Sequence, residues 1–513
     1  MRRALVLLLL ALLGSVGLAQ KEGGVLRVAT VSEPTSLDPV TTNNIPSRLV
    51  IMNIHDSLVA YDEDLNIVPK LAEGWEVSED GTVYTFRLRE GVRFHNGDPF
   101  TTADVKYTFD QARNPALQGQ WLGILGGLEE VTVVDDHTVQ MRLAAPDASF
   151  LDQIVYLAIV NGKVHAEVGA DAYAISPVGT GPFRFVSWSR NEVLRLERND
   201  DYWLARPYLD AVEFRAIPER AVAALELESG GADVAMSLAS PDLLRLQGSP
   251  DITVDLTPTL SYYYVAMNNQ LGPLADARVR RAIAMAIPMD QFVETIFQGV
   301  GAVRAYSSFA PGSLAYDEAL VADYPAFDPE GARRLLAEAG FPNGFETVIY
   351  TPTDSNRRQL GELIQAALSQ VGIRAEVRAV EFGTLLPLTY TGEAPIWILG
   401  WTNGVDPNNY LYDMFHSDPA AWEIGGTTFN TARYDDPEID AMLEEARRLT
   451  DMEQRLEIYR RAAYKIFVED VAHVPGYHQT STLAFRDYVR DLRADPNSGI
   501  DLVTTFNNVW LDR

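Results

Sequence analysis

The side chains able to do chemistry are sparse in this chain and poorly grouped. Seven histidines occur, at His55, His95, His137, His165, His416, His473 and His478. Only the last two are close, and a spacing of five does not put two rings on one helical face. No histidine metal site is expected from that pattern. Cysteine is absent, which excludes a thiol nucleophile, a thiolate ligand, a disulfide and a lipidated cysteine. Gly179-Thr180-Gly181-Pro182-Phe183 is glycine-rich but lacks the lysine of a phosphate loop, and Pro182 removes an N–H. It reads as a tight turn feeding a strand. Asp62-Glu63-Asp64-Leu65-Asn66 is half a calcium loop without its glycine or closing Glu, and reads as a solvated turn. Glu129-Glu130 and Asp135-Asp136 are adjacent carboxylates that point apart in a strand, as surface charge does. No Gly-x-Ser-x-Gly elbow occurs. Carboxylates of the glycosidase kind meet only in a fold, and nothing here nominates a pair. The expectation is a protein that binds rather than catalyses, with no cofactor and no metal. A secreted hydrolase is the remote alternative.

Aromatic residues carry more information. Tyr262-Tyr263-Tyr264 stands near a change in texture at about residue 265. Trp397 and Trp401 flank Leu399-Gly400, and the run from Trp401 through Thr402, Asn403, Gly404, Val405, Asp406, Pro407, Asn408 and Asn409 to Tyr410 mixes rings, amides, one acid and a glycine. It follows a strand-like Ile396-Trp397-Ile398-Leu399, so it is a loop at a carboxyl strand end, where open α/β sheets bind ligands. The same residues also suit a core tryptophan followed by a Pro/Asn turn.

The elements that must position these residues fall into two textures. Leu26–Thr30 reads as a buried strand, and two prolines extend the following loop, Ser32 to Pro39. Tyr84–Arg89 alternates buried and polar side chains, Gly91 turns it, and Val92–His95 is expected to return. Hairpins are expected over 131–143 and over 183–196, the second turning near Arg190-Asn191. Thr101 and Asp104 have capping-box spacing. After residue 265, helices and strands alternate: helices over 279–287, 329–339 and 359–371, with a strand over 373–380. That order builds open sheets. Residues 436–468 read as one long amphipathic stretch. No internal repeat or low-complexity linker occurs.

Composition sets the outer bounds. The 513 residues carry 42 Lys and Arg against 71 Asp and Glu, a formal net charge of −29. Nucleic acid is excluded as a partner, because phosphate backbones need clustered cations. Arg2-Arg3, the apolar run Ala4–Leu13 and the small residues Gly17-Leu18-Ala19 form a secretory signal over residues 1–19. It is too short and too early broken to be a membrane span. Cleavage after Ala19 is expected, leaving a soluble periplasmic protein that is not a lipoprotein.

The chain resembles one family along nearly its whole length. The most specific stretch is Leu71-Ala72-Glu73-Gly74-Trp75, Asp80-Gly81, Tyr84–Arg89, Gly91–Gly97 and Phe100–Val105. Supporting pieces are Gly179–Phe183, Glu197–Trp203, Val279–Ile283, Gly400-Trp401 with Asp406-Pro407, and Tyr434–Asp440. These resemble the family 5 extracellular solute-binding proteins of ABC importers, the dipeptide, oligopeptide and nickel group. The resemblance implies an α/β fold of the type II (cluster C) periplasmic-binding-protein kind, with two lobes, a hinge and an inserted β-rich subdomain. Lobe 1 would be 20–264 with 480–513, its inserted subdomain about 62–178, and lobe 2 would be 265–479.

Ligand-contact positions follow from the same likeness. Ser32, Glu33 and Thr35 match the segment after the first strand, and Trp401, Thr402, Asn403, Gly404, Asp406 and Tyr410 match the contact loop of the second lobe. Trp121 and Trp397 are further stacking candidates, and Tyr264, Tyr477 and His478 sit at the expected crossovers. Peptide binders of the family carry an acid about three residues after the loop tryptophan, where it pairs with the ligand's amino terminus. Gly404 stands there in this chain, and the loop is one residue shorter. The carboxylate-holding arginine of some members would fall near Tyr350-Thr351-Pro352, which has none; Arg357 and Arg358 lie just beyond. The expected function is capture of a peptide and its delivery, by a monomer, to an ABC permease. An oligosaccharide or other polar neutral solute is the alternative, and a nickel or other metal complex comes third.

Overall fold

Three sheets of four or more strands organise the chain in this computed structural model. It describes residues 20–62, 65–117, 119–402, 404–417, 419–423, 429–494 and 508–513. The expected signal segment therefore lies outside the described residues.

The first sheet has seven strands, in the order Ile252–Asp255, Leu483–Arg486, Val234–Ala235, Val25–Thr30, Ala211–Ala216, Val193–Arg198, Phe183–Ser189. Val25–Thr30 runs parallel to both neighbours, and the outer pairs are antiparallel. One strand comes from the far end of the chain, so this half is discontinuous. Asp233, buried beside that central strand, accepts from Arg27, Tyr488 and Arg513 and ties both chain ends to one carboxylate. The 183–196 hairpin forms as expected, with Asn191 in the left-handed region at φ 60°.

The second sheet has six strands, in the order Ala302–Arg304, His473–Gln479, Tyr262–Met267, Ile396–Trp401, Glu346–Pro352, Arg374–Val380. Its last three strands are mutually parallel, so Trp401, Pro352 and Val380 end at one edge. Helices cover both faces of this mixed sheet, as its buried parallel strands require. Ala277–Ala286, Met289–Phe297, Pro329–Glu338 and Ser355–Gln370 share a core with one face; Asn408–Phe415, Pro437–Arg448 and Met452–Tyr464 share one with the other. Asp side chains cap several of them: Asp276, Asp328, Asp354, Asp436 and Asp451 each accept a first-turn N–H. The stretch 436–468, expected as one amphipathic run, is two helices. It breaks after Arg448 because Asp451 caps a new start at Met452, and the second helix ends in a π-turn over Lys465–Glu469.

The third sheet, in the order Ala72–Val77, Val83–Leu88, Thr138–Leu143, Leu128–Val133, is the inserted subdomain, wholly antiparallel. Val92–His95 does not return as a strand. Val83–Leu88 already has a partner on each side, and Phe94 turns back to Asp98 through Gly97 at φ 88°. Thr101 and Asp104 do form their capping box. The subdomain core incorporates Val40, Leu58 and Val59 of the first half, so the two form one body.

The family-like motifs meet at one buried carboxylate. Asp56 pairs with Lys70 at 3.1 Å and accepts from Thr180 at 2.9 Å, Tyr202 at 3.0 Å and Trp203 at 2.9 Å. Burial works against its charge, but Lys70 and these donors override it and hold the carboxyl below its usual range. Beside it, Gly179 and Gly181 lie on the Ile54 backbone, where an added Cβ would stand 2.0 and 2.6 Å from backbone atoms. The glycine-rich run is thus close packing ahead of a strand.

The chain passes between the first and second sheets twice. It leaves the first at Asp255 and enters the second at Tyr262; it leaves the second at Gln479 and returns at Leu483. The tyrosine triplet therefore lies inside the second sheet, and both crossovers are offset from the expected positions at 264–265 and 477–478. The two crossing segments bond to each other: Thr259 N–H donates to Gln479 O at 2.8 Å, and Ser481 N–H to Thr257 O at 2.7 Å.

Candidate ligand-binding site

The loop after Trp401 leaves the carboxyl edge of the parallel strands, where the strand dipoles and free backbone groups of an open sheet are presented. Trp401 is half-buried. Its indole N–H donates to Asn409 O at 2.7 Å, and its ring meets exposed Phe429 edge-on, centroids 4.8 Å apart. Thr402 is exposed, and Asn403 lies outside the described residues. Gly404 is in the left-handed region at φ 64°, and a Cβ there would stand 1.9 Å from Oδ2 of Asp152. Only glycine fits that position.

Asp406 is fully engaged inside the protein. Both its oxygens accept from Arg455 at 2.8 Å, the Oδ1 atom also accepts the Asn408 N–H at 2.9 Å, and both side chains are buried. Burial disfavours the guanidinium, but Asp406 beside it wins and holds Arg455 above its ordinary value. The acid of this loop thus holds the loop rather than facing a ligand.

On the first-sheet side, Ser32 and Thr35 are exposed just past Thr30, and Glu33 is half-buried. Glu33 accepts the Asn191 N–H at 2.5 Å and lies 3.9 Å from Arg190. Thr35 bonds to Ser47 and Asn44. Arg357, at the carboxyl end of Glu346–Pro352, pairs with Asp354 at 2.5 Å and lies over the Tyr263 ring at 5.9 Å.

The other expected contact residues are interior. Trp121 is fully buried in the subdomain and donates to Pro39 O at 2.7 Å, so it offers no stacking face. Trp397 is fully buried under the second sheet. Tyr264 stacks on His473 at 4.5 Å, and Tyr477 on Tyr263 at 4.6 Å. Tyr410 donates to Leu260 O at 2.8 Å. His478 is buried against Ser261 O at 2.7 Å, and burial pushes its pKa down to about 4. These rings are large and apolar and sit on strands or helices whose faces are covered, which residue type alone does not disclose. Asp152, Arg455 and Phe429 were not anticipated. No local motif marks them; only Arg455's place on the apolar side of an amphipathic helix hinted at a buried partner.

Residues 66–422 match the description of bacterial extracellular solute-binding proteins, family 5 middle. The chain belongs to that family. A dipeptide-binding protein of Escherichia coli is 32% identical over 84% of each chain. A di/tripeptide-binding protein of Pseudomonas aeruginosa is 30% identical over 99% of this chain and 98% of its own. In structure, a periplasmic binding protein of Helicobacter pylori in complex with the peptide STSA is similar with a TM-score of 0.78 and 30% identity, over 96% of this chain and 99% of that one.

Proposed function

We propose that this family 5 protein captures a peptide between its two lobes and hands it to an ABC permease, without chemical turnover. The observation that carries the reading is the full-length likeness to a protein solved with a bound peptide, together with contact loops at the carboxyl end of a strand in each lobe. Two crossovers form the hinge, and the ligand shifts the balance toward the closed form. On this reading the protein is exported, its signal is cleaved after Ala19, and it acts as a monomer that no cysteine-linked lipid tethers.

A neutral solute is the second reading, and one observation favours it. Gly404 brings no acid and Asp406 is spent on Arg455, so this loop offers no open carboxylate to an amine. Glu33 is the half-exposed acid left on the opposite lobe. Native mass spectrometry of the purified protein should show a retained peptide. Thermal shift with free and end-blocked di-, tri- and tetrapeptides then separates the readings. Peptides that raise Tm only with free termini support a zwitterion; indifference to blocking supports a neutral solute. Cleavage of the peptide during incubation would overturn the carrier reading.

A further inference from the structure

The subdomain meets the second lobe by apolar packing, with Leu65 set in that lobe's core, and by a polar segment, residues 147–152. Asp147 pairs with Arg447 at 2.8 Å, Ala148 N–H donates to Arg447 O at 3.1 Å, and Asn408 donates to Ser149 at 3.3 Å. At the end of the segment stands Asp152, 4% exposed. Its Oδ1 atom accepts the Val405 N–H at 2.9 Å and the Asp406 N–H at 3.2 Å, and Oδ2 accepts from Asn409 at 2.6 Å. Tyr61, from its own lobe, donates to it as well. Three of these four donors come from the other lobe.

We propose that Asp152 is a positioning residue for ligand capture: a clasp that sets the loop at Gly404–Asp406 only while the lobes are closed. The inference rests on the closing-lobe reading above. Buried N–H groups need an acceptor, and those of Val405 and Asp406 have theirs across the lobe boundary. Separation of the lobes returns both donors to water, so loop shape and closure change together. Gly404 belongs to the device, because its missing side chain leaves the space that the Asp152 carboxylate fills. A ligand touching this loop gains affinity from a residue it does not contact.

Proton uptake accompanies the clasp. With the lobes joined as in this structure, burial first, and the Asp406 charge second, push the pKa of Asp152 up to about 7, against the pull of Tyr61 and the two backbone N–H groups. The groups facing it are Tyr61 with Tyr156 beside it, Asp406, and Arg455, which pairs with Asp406. Arg447 and Asp147 pair with each other nearby. In the open form the carboxyl returns toward its ordinary 3.8. The closed form therefore holds its proton more tightly, and closure strengthens as pH falls. Between pH 8 and pH 6 the gain is about tenfold in the closing equilibrium.

The cysteine-free chain allows a direct measurement. Lys163→Cys on the subdomain and Glu453→Cys on the second lobe, both exposed sites, take a fluorophore pair. Interlobe distance is read in ligand-stripped protein at pH 8 and pH 6, which keeps the test independent of which solute binds. The closed fraction of the parent should rise about tenfold relative to the open fraction on acidification. Asp152→Asn, isosteric and permanently neutral, should be closed and flat with pH. Asp152→Ala should be open and flat. A closed fraction in Asp152→Ala equal to the parent's, or a parent-like pH response in Asp152→Asn, overturns the clasp. Should Asp152→Ala not fold, the pH response of Asp152→Asn against the parent decides alone.

Discussion

At the residue scale, the second lobe depends on charges and rings that the solvent never sees. Asp406 and Arg455 form a two-point buried pair, and truncating one partner leaves the other uncompensated. Asp406→Ala is expected to lose about 3–5 kcal/mol of stability, read from urea unfolding. Among the described residues, His473 has both ring nitrogens buried without a hydrogen-bond partner; its ring stacks on Tyr264 and meets Phe415 at a tilt. His473→Leu removes that unpaired polarity with a smaller change in volume and should leave stability unchanged or raise it. Burial also lowers the pKa of His473 to about 3, of His55 to about 3 and of His478 to about 4. The unfolded imidazole takes a proton below about pH 6.5 and the folded one does not, so stability falls as pH drops from 6.5 toward 4. Each such ring costs up to about 1.4 kcal/mol per pH unit there. Tm should fall between pH 7 and pH 5, and fall less in His473→Leu; an equal fall in both would refute the assignment. The Trp401 loop was legible at this scale as a run of ring, amide and glycine. The Asp152 side of the joint was not, because an Asp in an ordinary short helix carries no signal of what lies across from it.

At the element scale, most boundaries follow from caps and turns. Helices at 277–286, 329–338 and 355–370 fall within a few residues of expectation, since Asp at the start and Gly340 or Gly372 just past the end act locally. The 436–468 region shows the limit of periodicity. Both of its helices bury their apolar sides in one core, so the apolar spacing runs on through the break, and Asp451 marks it. Asp451→Ala should cost about 1 kcal/mol in urea unfolding, because the Gln454 N–H loses its acceptor. The crossing segments are rich in hydroxyls: Thr259 bonds through its Oγ1 atom to Gln479 O at 2.8 Å and to Ser261 at 2.8 Å. Thr259→Val keeps the backbone pairing and removes these bonds. It should change the rate of ligand-induced closure in stopped-flow fluorescence while melting within a few degrees of the parent.

At the scale of the whole molecule, the acid excess and the two-lobed plan belong together. A net charge of −29 suits a protein kept apart from its copies by mutual repulsion. Small-angle scattering should show a smaller radius of gyration when peptide is added, since closing the lobes expels solvent from between them. A radius unchanged by a ligand that raises Tm would exclude closure as the response. Trp401 fluorescence should shift in the same titration, and the interior Trp121 and Trp397 should contribute little.

The amino-acid sequence alone determined the class of the protein: its lack of cysteine chemistry, its mixed α/β texture and its family. Those features are written in local patterns such as turn glycines, caps and alternating strands. They were readable because each depends on residues within a few positions of one another. Tertiary structure decided which aromatic side chains are available to a ligand. It also decided that Asp406 belongs to Arg455, and that Asp152 reaches the loop across the lobe boundary. Those outcomes depend on partners 49 and more than 250 residues apart. Such pairs are set by how the sheets and their covering helices pack, and no local pattern records them.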